Sequence, residues 1–330
     1  MGKYFSKKFA IYLLTFFVAI TINWAAPRFM PGDPISQLLG RFALREGGYE
    51  IMYSRFAQLF GFEQPLIQQY FGFWRSIFSR DLGISIMYFP RPVFDIIREA
   101  IKYDIYILVP AITLSWVIGN KLGAFSGMNK TADNVLMPVF YFLTSSPYFW
   151  FAVVLLYLFG TRWGIFPVGG GAYSATMRPG FHLAYFIDFL RYWFLPFFSL
   201  FLVQLGGWAI GMRNMILYEK SSNYSKYMKS LGASKKLIRS YGFRNGVLPQ
   251  VTGLALQFGN IMGGAIMVQM VFSYPGIGYR MLQGVMNQDY FLIQGTFLFS
   301  IILVLVANFI VDIIYMIIDP RVRLSYSEEV

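Results

Sequence analysis

Six long apolar runs constrain this chain more than any other feature of its sequence. A transmembrane helix needs about 20 predominantly apolar residues. Runs of roughly that length lie at 9–26, 103–125, 135–160, 193–217, 251–272 and 296–318. The composition agrees, because 56% of the 330 residues are hydrophobic and only 13% are charged. We therefore predict an all-α integral membrane protein with six transmembrane helices, a multi-pass protein of the cytoplasmic or inner membrane.

The distribution of positive charge predicts how these helices are oriented. Short loops rich in Lys and Arg stay on the cytoplasmic side, and the segment 213–244 holds eight such residues against one acidic residue, Glu219. With six spans, both termini then lie in the cytoplasm. The long segment 28–102 becomes an external insertion after the first helix, and we expect it to form short amphipathic helices at the membrane surface.

The residue types argue for a transport subunit rather than an enzyme. The chain has no cysteine and one histidine, His182, so we expect no metal site. It contains no G-x-x-x-x-G-K-[ST] phosphate loop, so ATP and Mg²⁺ are expected in partner subunits and no cofactor in this one. The net charge of +12 favours membrane lipids over nucleic acid as a partner. No repeat or linker divides the chain, which predicts one domain over 1–330.

The basic loop at 218–248 combines its charge with an ordered pattern. Residues 224–231 predict a helix, Gly232 supplies a left-handed turn, and Ser234 starts a second helix. Pro249 suits the first turn of the fifth span. The expected structure is a cytoplasmic helix-turn-helix. A general excess of positive charge on the inner side is the alternative explanation of the loop.

This loop resembles the coupling loop of permease subunits of binding-protein-dependent ABC importers, specifically those of the dipeptide/oligopeptide type. Further segments resemble the same family: 30–34 (MPGDP), 91–95 (RPVFD), 146–149 (SPYF), 164–170 (GIFPVGG), 271–278 (VFSYPGIG), 288–290 (QDY), 312–315 (DIIY) and 319–323 (DPRVR). The resemblance implies three kinds of partner: a second homologous permease subunit, two cytoplasmic ABC ATPase subunits and an extracellular or periplasmic solute-binding protein. It also implies that the loop contacts the ATPase. The residues assigned to that contact are Tyr224, Tyr227, Leu231, Gly232, Ala233 and Ser234.

The fifth span has two different faces. One stripe consists of Gly253, Gln257, Asn260 and Gly264. The other contains Gly259 and Gly263, a spacing that lets helices approach closely. Polar groups within a span usually face a bundle interior or a cavity, so Gln257, Asn260 and Gly264 are candidate residues of a translocation path. Hydrogen bonding of these amides to neighbouring helices remains an equal alternative.

One further residue completes the candidate path. Gln269 lies near the outer end of the fifth span, where the resembled family commonly has Glu. The missing negative charge favours a neutral or zwitterionic solute over a cationic one.

The sixth span carries a polar stripe formed by Asn308, Asp312, Tyr315 and Asp319. A charge within the bilayer is costly, so Asp312 needs a partner, and Arg213 in the fourth span is one candidate. A structural ion pair is favoured over a proton relay. Four prolines inside the predicted spans predict kinks or breaks in the helices: Pro110, Pro138, Pro147 and Pro196.

The favoured function is half of the path of an ATP-driven importer that receives its solute from a binding protein. Peptide is favoured as that solute, and oligosaccharide stays open. A secondary transporter is the alternative in another class, and it would be expected to show inverted repeats and ion sites within the membrane. An integral-membrane enzyme would need His, Cys or carboxylate side chains clustered at one depth.

Overall fold

A computed structural model describes residues 2–40 and 48–318, excluding the side chains of residues 2–7, 252, 255–256, 258–264 and 310–318. Within these ranges the chain forms helices and no β-strand, which confirms the all-α class. The helices are α1 Gly2–Ala25, α2 Pro34–Leu39, α3 Gly48–Leu59, α4 Leu66–Ser79, α5 Val93–Met128, α6 Lys130–Ser145, α7 Tyr148–Leu155, α8 Leu183–Ser221, α9 Asn223–Ser230, α10 Lys235–Phe272, α11 Ile277–Met286 and α12 Tyr290–Ile318.

Membrane-length helices occur at four of the six predicted spans. They are Lys8–Phe29, Val93–Met128, Leu183–Ser221 and Tyr290–Phe309. The predicted span at 251–272 lies within α10, which is continuous from Lys235. The prediction that a helix begins at Pro249 is therefore wrong, because Pro249 lies in the interior of α10.

The predicted single span at 135–160 is broken into two helices. Lys130–Ser145 and Tyr148–Arg162 are bent by 100° relative to each other. The break falls at Pro147, which has no backbone N–H to donate and holds Ser146 in an extended conformation. The helices that contain Pro110, Pro138 and Pro196 continue through those residues.

The chain divides into two compact units. The first consists of the described parts of Met1–Lys102 and Pro275–Val306. The predicted insertion at 28–102 does contain short helices, α2 to α4. It packs against other parts of this unit, because Val93 and Ile97 form one apolar cluster with Ile277 and Leu292.

Two segments of the family resemblance meet within the first unit. Asp289 of the QDY segment is buried at the start of α12 and accepts hydrogen bonds from Ser85 Oγ (2.5 Å), Met87 N (2.9 Å) and Leu292 N (3.0 Å). Burial raises the pKa of its carboxyl, and these hydrogen bonds act in the opposite direction. Its neighbour Gln288 donates to the Pro31 carbonyl of the MPGDP segment. These motifs therefore position the loops of this unit.

The second unit consists of the described parts of Tyr103–Tyr274 and Ala307–Val330. Its helices α6 and α10 both pack on α8. A glycine stripe on α5 also lies against α8: a Cβ atom on Gly123 would come within 2.1 Å of the Ala209 carbonyl oxygen, and one on Gly119 within 2.7 Å of Trp208 Cβ. Close approach of these two helices therefore requires glycine.

Candidate functional site

The basic loop folds into the predicted helix-turn-helix. Helix α9 covers Asn223–Ser230, and Gly232 follows with a φ of +78°. The Ser234 side chain then accepts a hydrogen bond from Leu237 N at 3.2 Å, which caps the start of α10. We refer to residues 222–239 as the hairpin.

The tip of the hairpin is exposed. Tyr227 and Leu231 retain 66% and 68% of their accessible surface, and a Cβ atom on Gly232 would meet nothing within 4 Å. Ser234 is exposed and Ala233 is partly exposed. Tyr227 and Leu231 are four residues apart, so their exposed surfaces lie on one side of α9 and its end.

Tyr224 differs from the other predicted contact residues because its hydroxyl group is used within the chain. It donates to Glu219 Oε2 at 2.5 Å, and Asn245 Nδ2 of α10 donates to the same oxygen at 3.2 Å. The Glu219 backbone carbonyl accepts from Ser222 Oγ and Ser225 Oγ. Glu219 thus joins α8, α9 and α10, a role that its position among lysines did not indicate.

A cationic groove of about 460 Å³ lies beside the hairpin. Five positively charged side chains line it, and no acidic side chain does: Lys220, Lys226, Lys229, Lys235 and Arg239. The charge of the loop is therefore concentrated next to the exposed tip. A partner that docks here would have to present a negative surface.

Arg213 forms an ion pair that the sequence did not predict. Its Nε and Nη2 atoms donate to the two carboxylate oxygens of Asp133 at 3.0 and 2.6 Å, and Ser126 Oγ donates to Asp133 Oδ1 at 2.7 Å. The pair joins α5, α6 and α8. Arg213 is therefore paired with α6, whereas the sequence offered Asp312 as its partner; the Asp312 side chain lies outside the described residues.

A polar groove of about 520 Å³ opens at the break between α6 and α7. Three glutamines line it together with Thr144 and Tyr148: Gln204, Gln250 and Gln257. Gln257 Nε2 lies 3.4 Å from Gln204 Oε1 of α8. Gln257 therefore has features of both predicted roles: it lines a groove, as a path residue would, and its amide contacts a neighbouring helix. Amide side chains both donate and accept hydrogen bonds, as a peptide backbone does.

Gln269, another predicted path residue, does not line this groove. Gln269 is 2% exposed and donates to the buried carboxylate of Asp104 at 2.6 Å. Its amide is used inside the unit, and its assignment to a translocation path stays a prediction. The surroundings of four residues of the fifth span lie outside what the structure describes: Gly259, Asn260, Gly263 and Gly264. Asn308 is exposed on α12.

Comparison with known proteins identifies similar sequences over the whole chain. Residues 119–324 match the family described as binding-protein-dependent transport system inner membrane component. The chain is 26% identical to the di/tripeptide transport system permease protein DppB of Pseudomonas aeruginosa, over 98% of this chain and 99% of that protein. It is 29% identical to the oligopeptide transport system permease protein OppB of Haemophilus influenzae, over 98% and 100% of the two chains.

Proposed function

We propose that this chain, which belongs to the family of binding-protein-dependent transport system inner membrane components, imports peptides. It acts as one permease subunit of an ATP-driven ABC importer. It is a multi-pass protein of the inner membrane and not an enzyme. The observation that carries the proposal is the full-length similarity to peptide permeases, which includes the hairpin and the polar groove.

Peptide is the solute that the comparisons support. The relatives named above are called di/tripeptide and oligopeptide permeases, and none of these names mentions an oligosaccharide. The glutamine-lined groove is consistent with peptide, since amide side chains can pair with a peptide backbone without reading its side chains. Such a surface suits solutes of varied sequence.

Membership of the family implies that the chain works with other subunits, and the identity and number of these subunits are part of our proposal. We assign a second homologous permease subunit, two cytoplasmic ATPase subunits that bind ATP and Mg²⁺, and an external solute-binding protein as partners. The hairpin tip with Tyr227, Leu231 and Gly232 docks on an ATPase subunit. Both termini and the hairpin then lie in the cytoplasm, and the segment 28–102 lies outside.

Uptake by cells that lack the gene tests the proposed function. A deletion strain complemented with this chain should accumulate a radiolabelled tripeptide, and a strain with an empty vector should not. A labelled cello-oligosaccharide serves as the control solute and should not accumulate. Oligosaccharide uptake without peptide uptake would overturn the peptide assignment. Peptide uptake that persists after ATP depletion and stops on collapse of the proton gradient would instead indicate a secondary transporter.

A further inference from the structure

A second groove, of about 570 Å³, lies between the end of α5 and the start of α10. Its lining combines positive charge with apolar surface. The cations are Lys121, Lys236 and Arg239, and the apolar side chains include Ala124, Phe125 and Phe243. We refer to it as the lateral groove.

Helical spacing explains why charge and apolar surface share this groove. Lys121 and Phe125 are four residues apart on α5, so they lie on one face. Lys236 and Arg239 are three residues apart on α10, and Phe243 follows four residues later on the same face. Each helix therefore contributes both a cation and an aromatic ring.

The positive charge of the lateral groove has no counterion in the part of the chain that the structure describes. Neither described ion pair includes Lys121, Lys236 or Arg239, and no acidic side chain lines the groove. Three such cations repel one another, and an anion bound among them would relieve that repulsion. The groove is thus complementary to negative charge.

The apolar part of the groove narrows the choice of anion. Phe125 retains 52% of its accessible surface, and a small inorganic anion would leave that ring uncovered. The helix α5 is one of the membrane-length segments and ends at Met128. Its exposed apolar side chains continue from the groove along the helix, as at Val117 and Ile118. A ligand with an anionic head and an apolar tail matches this arrangement.

We propose that the lateral groove binds an anionic phospholipid of the surrounding leaflet. The phosphate contacts Lys121, Lys236 and Arg239, and an acyl chain lies along Phe125 and Phe243. Basic pockets between transmembrane helices bind anionic headgroups in this way. Because α10 continues directly from the hairpin, the bound lipid would fix the base of the proposed coupling element.

Native mass spectrometry of the purified full-length chain tests this proposal. Phosphatidylglycerol and phosphatidylcholine with identical acyl chains are titrated into the protein in a neutral detergent. We expect phosphatidylglycerol to bind with clear preference. The double variant Lys121→Gln/Arg239→Gln should lower that affinity about 25-fold, at about fivefold for each cation removed.

Matched variants distinguish lipid binding in the lateral groove from nonspecific attraction to positive charge elsewhere on the protein. Lys130→Gln/Arg244→Gln also removes one lysine and one arginine that are exposed but do not line the groove, so the affinity should stay at the wild-type value. Ser240→Trp fills the groove without changing its charge and should weaken binding as well. An unchanged helical spectrum and gel-filtration profile show that each variant is folded.

Four results would overturn the proposal. Equal affinity of the wild-type chain for both lipids would exclude headgroup recognition. Equal losses in the two double variants would show unspecific charge attraction. Displacement of the lipid by millimolar inorganic phosphate would indicate a site for a free anion. Unchanged lipid binding in Lys121→Gln/Arg239→Gln, with loss of ATPase association, would make the groove a protein docking surface.

Discussion

Glu219 is the one acidic residue within the basic segment 213–244, and its oxygens accept hydrogen bonds from α9 and α10. A carboxylate accepts stronger hydrogen bonds than a neutral group does. No residue of the hairpin belongs to the apolar clusters of the described part of the chain. Hydrogen bonds of polar side chains anchor it, and single substitutions should loosen it without unfolding the helices that precede and follow it.

Loss of the Tyr224 hydroxyl group tests this anchor. A hydrogen bond to a charged group contributes about 1.5 to 3 kcal/mol when it is buried, and we expect about 1 kcal/mol at this partly exposed position. Tyr224→Phe should therefore raise the amide hydrogen exchange of α9 about fivefold. Tyr227→Phe removes a hydroxyl group from an exposed side chain and should leave exchange unchanged. The same exchange rate in both variants would mean that the Tyr224–Glu219 hydrogen bond does not hold the hairpin.

Gly232 is required for its backbone conformation alone, because a Cβ atom there would meet nothing within 4 Å. A β-branched residue at a φ of +78° is strained by about 1 to 3 kcal/mol. We expect Gly232→Val to insert in the membrane and lose stimulation of the ATPase. Gly232→Asn should retain most of it, since Asn tolerates a positive φ. Normal stimulation in the valine variant would exclude the turn as the coupling element.

Among the helices, the contact of α5 with α8 is set by glycine. A methyl group on Gly123 would lie 2.1 Å from a backbone oxygen, so Gly123→Ala has to move the two helices apart. Overpacking of this kind costs about 1 to 3 kcal/mol, and we expect a lower unfolding temperature in detergent. Gly72→Ala is the matched control on α4, where the added methyl group would meet nothing within 4 Å. Equal unfolding temperatures for the two variants would contradict this close packing.

The elements differ in how far the sequence predicted them. Apolar runs and the pair Gly232 and Ser234 report local preferences, so the membrane helices and the hairpin were predictable. The sequence predicted a kink or break at any of four prolines, and it did not single out Pro147. The reason is that a membrane helix tolerates proline when neighbouring groups satisfy the freed backbone. The pairing of Arg213 with Asp133 depends on which helices are adjacent, which no local pattern specifies. The glycines at 119, 123 and 127 have the four-residue spacing of a packing face, a local signal from which the contact with α8 was predictable.

For the whole molecule, the orientation in the membrane is the most direct consequence of the charge distribution. The chain contains no cysteine, so single-cysteine variants carry one reactive group. An impermeant thiol reagent applied to intact spheroplasts should label Ser79→Cys and should reach Ser230→Cys only after permeabilisation. Both residues are exposed, which makes the pair a matched comparison. Labelling of Ser230→Cys alone in intact spheroplasts would reverse the orientation.

Peptide-stimulated ATP hydrolysis tests the central claim most directly. The chain is reconstituted in proteoliposomes with the proposed second permease subunit and ATPase subunits, and the peptide-loaded binding protein is added outside. We predict that hydrolysis rises several-fold over the rate with the unloaded binding protein, and that it stays at the basal rate in proteoliposomes that lack this chain. Peptide accumulation driven by an ion gradient without any rise in ATP hydrolysis would contradict the assignment.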